Sequence, residues 1–380
     1  MAVSARRMTR HRDYSRLFIA LTVVAGIIAL APIVAAIAGV GGARVAPRTA
    51  FATAPSGEYM VLGRTEGDTD VISVVGRSSL EAPAEIARVP HMAGFASIGA
   101  VSPDGSHLAL VVTDAGVASH PIASLQVLDL KTGKLSRAAE NVSPEIAPVW
   151  NPDGEQIVIT RNVAGNESQG PIDVVTVDRS GGDETHVQTY SSALGAYPVG
   201  FDEQSRLVTV VLDASGTTLD RPGAEPLHLS ANLTRDWRLS PDGKSIAFVE
   251  VDTAAGVQYV ARTAPLGGSA PSGVAAQSLS ASVSALGAAW NPATDAPTFG
   301  VEPGAASGAG GGVSAQSLTA SSSDGFDVPL GYSGSGKALV VTHWTGDSFE
   351  SPGRPQLQVI DGQERVIFEN QTRFFGWSSR

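Results

Sequence analysis

The stretch Val149-Trp150-Asn151-Pro152-Asp153-Gly154-Glu155-Gln156-Ile157-Val158-Ile159 carries the pattern on which this chain is built. An apolar start runs into Pro-Asp-Gly, where proline presets φ and glycine permits φ > 0. An alternating apolar segment follows, so the block predicts two antiparallel strands joined by a tight turn. It returns as Arg238-Leu239-Ser240-Pro241-Asp242-Gly243-Lys244-Ser245-Ile246-Ala247-Phe248 and as Ala100-Val101-Ser102-Pro103-Asp104-Gly105-Ser106-His107-Leu108-Ala109-Leu110.

Eroded copies surround Pro55, Pro292 and Ser333-Gly334-Ser335-Gly336, and a degenerate one surrounds Phe201-Asp202-Glu203. The copies are spaced by roughly 38–51 residues, the period of a propeller blade. A further apolar strand follows several copies, as in Ser124-Leu125-Gln126-Val127-Leu128-Asp129 and Leu357-Gln358-Val359-Ile360-Asp361. Polar turns such as Lys131-Thr132-Gly133 then introduce a fourth. The expected fold is all-β: a propeller of seven four-stranded blades, six or eight also fitting the count. Arg373-Phe374-Phe375-Gly376-Trp377-Ser378 reads as an inner strand that closes the ring beside the first blade, near Thr49–Ala54. Residues 303–323, rich in Gly, Ser and Ala, read as a flexible insertion in the sixth blade.

These blocks resemble the TolB-type, WD-repeat-like propeller repeat, also found in relatives of prolyl oligopeptidase, whose core reads roughly P-x-W-S-P-D-G-x-x-I-A-F. The resemblance spans about residues 48–380 and is closest over 148–159 and 237–248. It implies a propeller engaged in protein–protein interaction, an expectation at the level of fold.

Upstream of the repeats, Leu17 to Ala43 holds no charged residue. As a helix it would extend about 40 Å, enough to cross a hydrocarbon core of about 30 Å. Arg6, Arg7, Arg10, Arg12 and Arg16 precede it against Asp13 alone. The positive-inside rule makes 1–16 a cytoplasmic tail, 17–43 a signal anchor in membrane lipid, and 44–380 an extracytoplasmic domain of the cell envelope. The rival reading is a cleaved signal peptide, with Ala36-Ile37-Ala38 as its cleavage site, but the apolar run is longer than such segments usually are.

Net charge is −11 although the basic residues crowd the tail, so the propeller region is still more acidic. That balance opposes nucleic acid as a partner. Cysteine is absent, which excludes disulfides and thiolate metal sites. Gly331-Tyr332-Ser333-Gly334-Ser335 fails the G-x-S-x-G pattern at its last position and falls on a repeat turn. The histidines show no metal-ligand spacing. Asp68-Thr69-Asp70 reads as a solvated turn. No catalytic residue, metal or cofactor is expected, and the repeats leave no room for a second catalytic domain. Trp150, Trp237, Trp290 and Trp377 fall at inner-strand positions, where large rings fill gaps between blades. Loops feeding the inner strands offer Glu145, Arg235, Asp236 and Arg373 as binding candidates. The function expected is a non-enzymatic scaffold for an envelope protein, peptide or glycan. Two other classes stay open: an extracytoplasmic lyase or hydrolase centred on the channel, and a sensory ectodomain working through a membrane partner.

Overall fold

The computed structural model describes residues 57–80, 83–162, 170–254, 257–267, 277–278, 284–301, 325–362 and 364–379. The chain divides into Met1–Arg48 and Thr49–Arg380, and the description that follows concerns the second unit. The tail at 1–16, the span at 17–43 and the insertion at 303–323 lie outside the described residues. No helix among the described residues is long and apolar enough to cross a membrane.

The repeat block folds as its chemistry demands. At Ser102–Gly105, Asn151–Gly154, Ser240–Gly243 and Ser333–Gly336 the glycine N–H donates to the carbonyl of the first residue at 2.8–3.0 Å. All four glycines have φ between 66° and 74°, where a Cβ is strained. The flanking side chains complete the turn. Asp104 Oδ1 accepts from Ser102 Oγ (2.6 Å) and Ser106 N (3.0 Å), and Asp242 Oδ1 accepts from Ser240 Oγ (2.7 Å) and Lys244 N (3.0 Å). The degenerate copy keeps the geometry without glycine: Ser205 takes φ 58° and Asp202 caps Gln204 N and Arg206 N.

Seven antiparallel sheets result, numbered here from the N-terminus. Sheet 1 holds Glu58–Glu66, Thr69–Gly76 and Ala84–Pro90 with Arg373–Ser379 on its inner side; sheet 2 holds Ile98–Val101, His107–Val117, His120–Asp129 and Leu135–Val142. Sheet 3 holds Val149–Trp150, Gln156–Asn162, Ile172–Asp178 and Glu184–Tyr190; sheet 4 holds Gly195–Phe201, Leu207–Asp213, Gly216–Asp220 and Leu227–Ser230. Sheet 5 holds Thr234–Leu239, Ser245–Asp252, Gln258–Pro265 and Gln277–Ser278, and sheet 6 only Ala285–Asn291 and Ala296–Val301. Sheet 7 holds Phe326–Tyr332, Ala338–Trp344, Pro355–Asp361 and Glu364–Phe368.

The propeller therefore has six complete blades, not the seven four-stranded blades that the repeat count predicts. Sheet 6 contributes two strands among the described residues. Residues 302–324, which follow in the chain, lie outside the described residues. The ring closes where Arg373–Ser379 pairs with Glu58–Glu66, Met60 opposite Trp377; Thr49–Ala54, near which closure was expected, lies outside the described residues.

Strand alternation divides each second strand between two cores. In sheet 2, Leu108, Leu110 and Val112 pack with Tyr59, Val61 and Ile72 of sheet 1, whereas Ala109 and Val111 pack with Trp150 and Ile157 of sheet 3. Equivalent cores join sheets 4 and 5 around Val208, Val210, Ile246 and Phe248, and sheets 7 and 1 around Met60, Leu62, Val340 and Val359. Each fully buried large side chain stabilises by about 1.5–3 kcal/mol. The tryptophans add a directional tie. Trp150, Trp290 and Trp377 donate Nε1 to the carbonyls of Ala100, Arg238 and Gly331, each on the inner strand of the preceding sheet, at 2.8, 2.8 and 3.2 Å. Packing between blades is thus their observed role.

Candidate binding face

In sheets 2 to 7 the chain enters the innermost strand from one side of the ring, turns at the repeat block on the other, and returns; in sheet 1 the closing strand enters from the same side. The loops that feed inner strands and the hairpins between second and third strands therefore share one side, the entry side. All four sequence-derived candidates lie there, but they do not form one site.

Arg373 is a closing tie. Its guanidinium donates to Asp70 Oδ2 (2.8 Å) and Oδ1 (2.5 Å), to the Ser97 carbonyl (2.9 Å) and to Thr65 Oγ1 (3.1 Å). Asp70 is 0% exposed, which corrects the solvated turn expected at 68–70. Burial alone would raise its carboxyl. The bonds and charge of Arg373, with the Ser97 N–H at 2.7 Å, outweigh burial and hold it below the ordinary range. The C-terminal strand is thereby fixed to sheet 1 and to the loop that enters sheet 2.

Asp236 is likewise a tie between sheets. It sits at φ 57°, a region that Asp and Asn tolerate best among non-glycine residues. Its Oδ2 accepts from Gly287 N of sheet 6 at 2.8 Å and from Arg235 Nε at 3.1 Å. Glu145 is exposed in the loop before Val149. Burial first, and then the Glu145 charge, push the Tyr197 phenol up. The Tyr197 ring lies 5.0 Å from that of Trp237, whose Nε1 donates to Thr234 Oγ1 at 2.7 Å. Glu145, Arg235 and Asp236 thus neighbour sheets 3 to 6, whereas Arg373 belongs to the seam between sheets 1, 2 and 7.

The entry side holds a cleft of about 690 Å³ at that seam, which sequence reasoning missed. One wall is the hairpin end Arg64-Thr65-Glu66 with Pro83; the other is the strand end Ile367-Phe368 and the loop 369–372. The volume is that of a small-ligand or side-chain pocket. Its cation is already neutralised: Arg64 stands 2.9 Å from Glu66 and 3.7 Å from Glu85, and Arg88 bridges the same two glutamates at 2.8 Å each. The floor is polar. Gln371 is buried, with Oε1 lacking a partner, beside Asn370 and Thr372. Ile367 is 50% exposed at the rim. The one signal in the sequence was Glu369-Asn370-Gln371-Thr372, a polar run before the closing strand.

Two buried histidines stand beside aspartates in different blades. His91 Nε2 stands 3.2 Å from Asp70, and His343 Nδ1 stands 2.8 Å from Asp327, which Arg365 also holds at 2.6 Å. Among the described residues no three His, Asp or Glu side chains gather as a metal site. Ser333 is buried in its repeat turn.

No family model matches the chain, and no curated protein does. Solved structures do. TolB from Acinetobacter baumannii superposes with a TM-score of 0.51 at 13% identity over 85% of this chain, which spans 66% of that one. Prolyl oligopeptidase B from Galerina marginata gives 0.54 at 11% identity over 83% of this chain and 51% of its own. The same enzyme bound to a 35mer hydrolysis and macrocyclization substrate gives 0.53 at 13%. The chain thus has the propeller fold of the TolB type, and at these identities the likeness concerns the fold alone.

Proposed function

We propose that this chain is a membrane-anchored, extracytoplasmic binding module without catalysis of its own. Leu17–Ala43 serves as a single-pass anchor with the basic tail inside, and the propeller offers its entry side to an envelope protein or peptide. One observation carries the reading: a preformed polar cleft with an apolar rim, built where the two ends of the ring are sewn together. Binding is favoured over chemistry because the ionisable groups that converge are already engaged. Asp70 with Arg373, Asp327 with Arg365, Glu250 with Arg262 and Asp202 with Arg206 hold strands to strands.

The test is a photoreactive residue placed at Asn370 of the full-length protein in living cells. A discrete adduct is expected that disappears when Ile367→Arg fills the cleft rim. Labelling no different from that of a probe at Lys131, exposed in the turn between the third and fourth strands of sheet 2 on the opposite side of the ring, overturns the reading. Reporter fusions at each terminus check the orientation of the anchor.

A further inference from the structure

The innermost strand of each sheet is paired on one side only, so its other edge faces the centre of the ring with backbone N–H and C=O groups free of the sheet. These strands can be compared position by position. Each ends at the residue that opens the repeat turn: Ser102, Asn151, Asp202, Ser240, Asn291 and Ser333, with Ser378 in the same place on the closing strand. Two residues earlier stand Ala100, Val149, Gly200, Ala289, Gly331 and Gly376 in six of the sheets, and Arg238 in the seventh. The structure confirms the equivalence, because the carbonyls of Ala100, Arg238 and Gly331 receive the tryptophan Nε1 bonds described above. One level of the ring therefore carries five Gly or Ala residues, one valine and a single cation.

That cation is uncompensated. Most described arginines face a carboxylate; Arg221, Arg238 and Arg354 do not. Arg221 is buried against the Leu266 carbonyl, and Arg354 lies in an exposed outer loop. Arg238 keeps one partner, the Trp237 carbonyl at 2.9 Å from its Nη1, and no carboxylate stands at ion-pair distance from it among the described residues. Its neighbour Asp236 is occupied by Arg235 and Gly287 N. Arg238 is nevertheless exposed to solvent. The surrounding protein pushes its guanidinium below the ordinary arginine value, against the opposing charge of Asp236. A solvent-exposed side chain on the innermost strand, whose free edge faces the centre of the ring, is what the wall of a channel provides.

We propose that Arg238 is the anion-binding residue of the central channel, taking a compact carboxylate or phosphate group from a ligand that enters the ring. The planar fork of donors suits both groups, and the free N–H groups of the inner edges add neutral donors. In an acidic domain one enclosed positive site concentrates anions locally while the outer surface repels them. The site is separate from the seam cleft and stands or falls without it.

Trp290 supplies the readout, because its indole N–H is bonded to the Arg238 carbonyl. Full-length protein in detergent, labelled on the indole nitrogens, is titrated at constant ionic strength with inorganic phosphate and, separately, with acetyl-trialanine. Saturable shifts are expected at Trp290 and Trp237. Trp150 and Trp377, which make the same bond in other sheets, should hold still. Arg238→Gln should weaken binding about tenfold or more, and Arg238→Lys less. A response to one probe alone identifies the group that is read and still supports the site. Equal movement of Trp150, Trp237, Trp290 and Trp377, no movement at Trp290 with either probe, or an undiminished response in a folded Arg238→Gln protein overturns the proposal.

Discussion

Asp104 shows what a single side chain does for a repeat. Burial tends to raise its carboxyl, but the hydroxyls of Ser102 and Ser106 and the Ser106 N–H overcome this and bring it to about 2. Since the folded value lies below the unfolded one near 3.9, the stability it contributes is present above that unfolded value. It is lost as pH falls through about 2. A carboxyl-detected titration should find Asp104 midpoint well below those of free carboxylates, and Asp104→Ala should cost about 1 kcal/mol in urea unfolding. The opposite test is steric. Gly105 has φ +66°, and a Cβ there would stand 1.5 Å from Ser378 Oγ of the closing strand. Gly105→Ala should therefore lower the melting temperature more than Asp104→Ala does. At Asp236, Asn keeps both the acceptor and the tolerance for positive φ, so Asp236→Asn should be nearly silent. Asp236→Ala should cost about 1–3 kcal/mol by stranding the Gly287 N–H.

At the scale of elements, the repeat block was legible because turn, caps and alternation all sit within a dozen residues. The ties between sheets were not. Read alone, Arg373 is a loop charge and Asp70 part of a solvated turn; the partners stand 303 positions apart. The seam cleft is invisible in the sequence for the same reason: its walls come from residues 64–66 and 367–372. The blade count differs at sheet 6, which shows two strands among the described residues although its inner strand keeps the Trp-Asn-Pro signature. The seam should be the mechanical weak point. Asp70→Ala leaves Arg373 largely buried without its counter-charge and should cost about 3 kcal/mol, read as a shift of the urea midpoint. Removing residues 373–380 should do more, since it bares the inner edge of Glu58–Glu66. The expected outcome is loss of the cooperative thermal transition and association through that edge in size-exclusion chromatography.

For the whole molecule, acid sensitivity follows from the sum of these local arrangements. Glu58, Glu66, Asp70, Asp129, Glu184 and Asp202 are all held below their ordinary values, chiefly by arginine and backbone N–H donors acting against burial. Each contributes stability above the normal carboxylate range that is lost on acidification, so a thermal midpoint measured downward from neutral pH should stay level and then fall below about pH 4. Sewing the first sheet with the last strand also sets a timetable for biosynthesis. At ribosomal rates of about 5–20 residues per second, the strand Glu58–Glu66 waits roughly 15–60 s for its inner partner to be made. During that interval the unfinished ring presents an open sheet edge to every neighbouring chain, and the newborn protein depends on whatever shields that edge until Arg373–Ser379 is made.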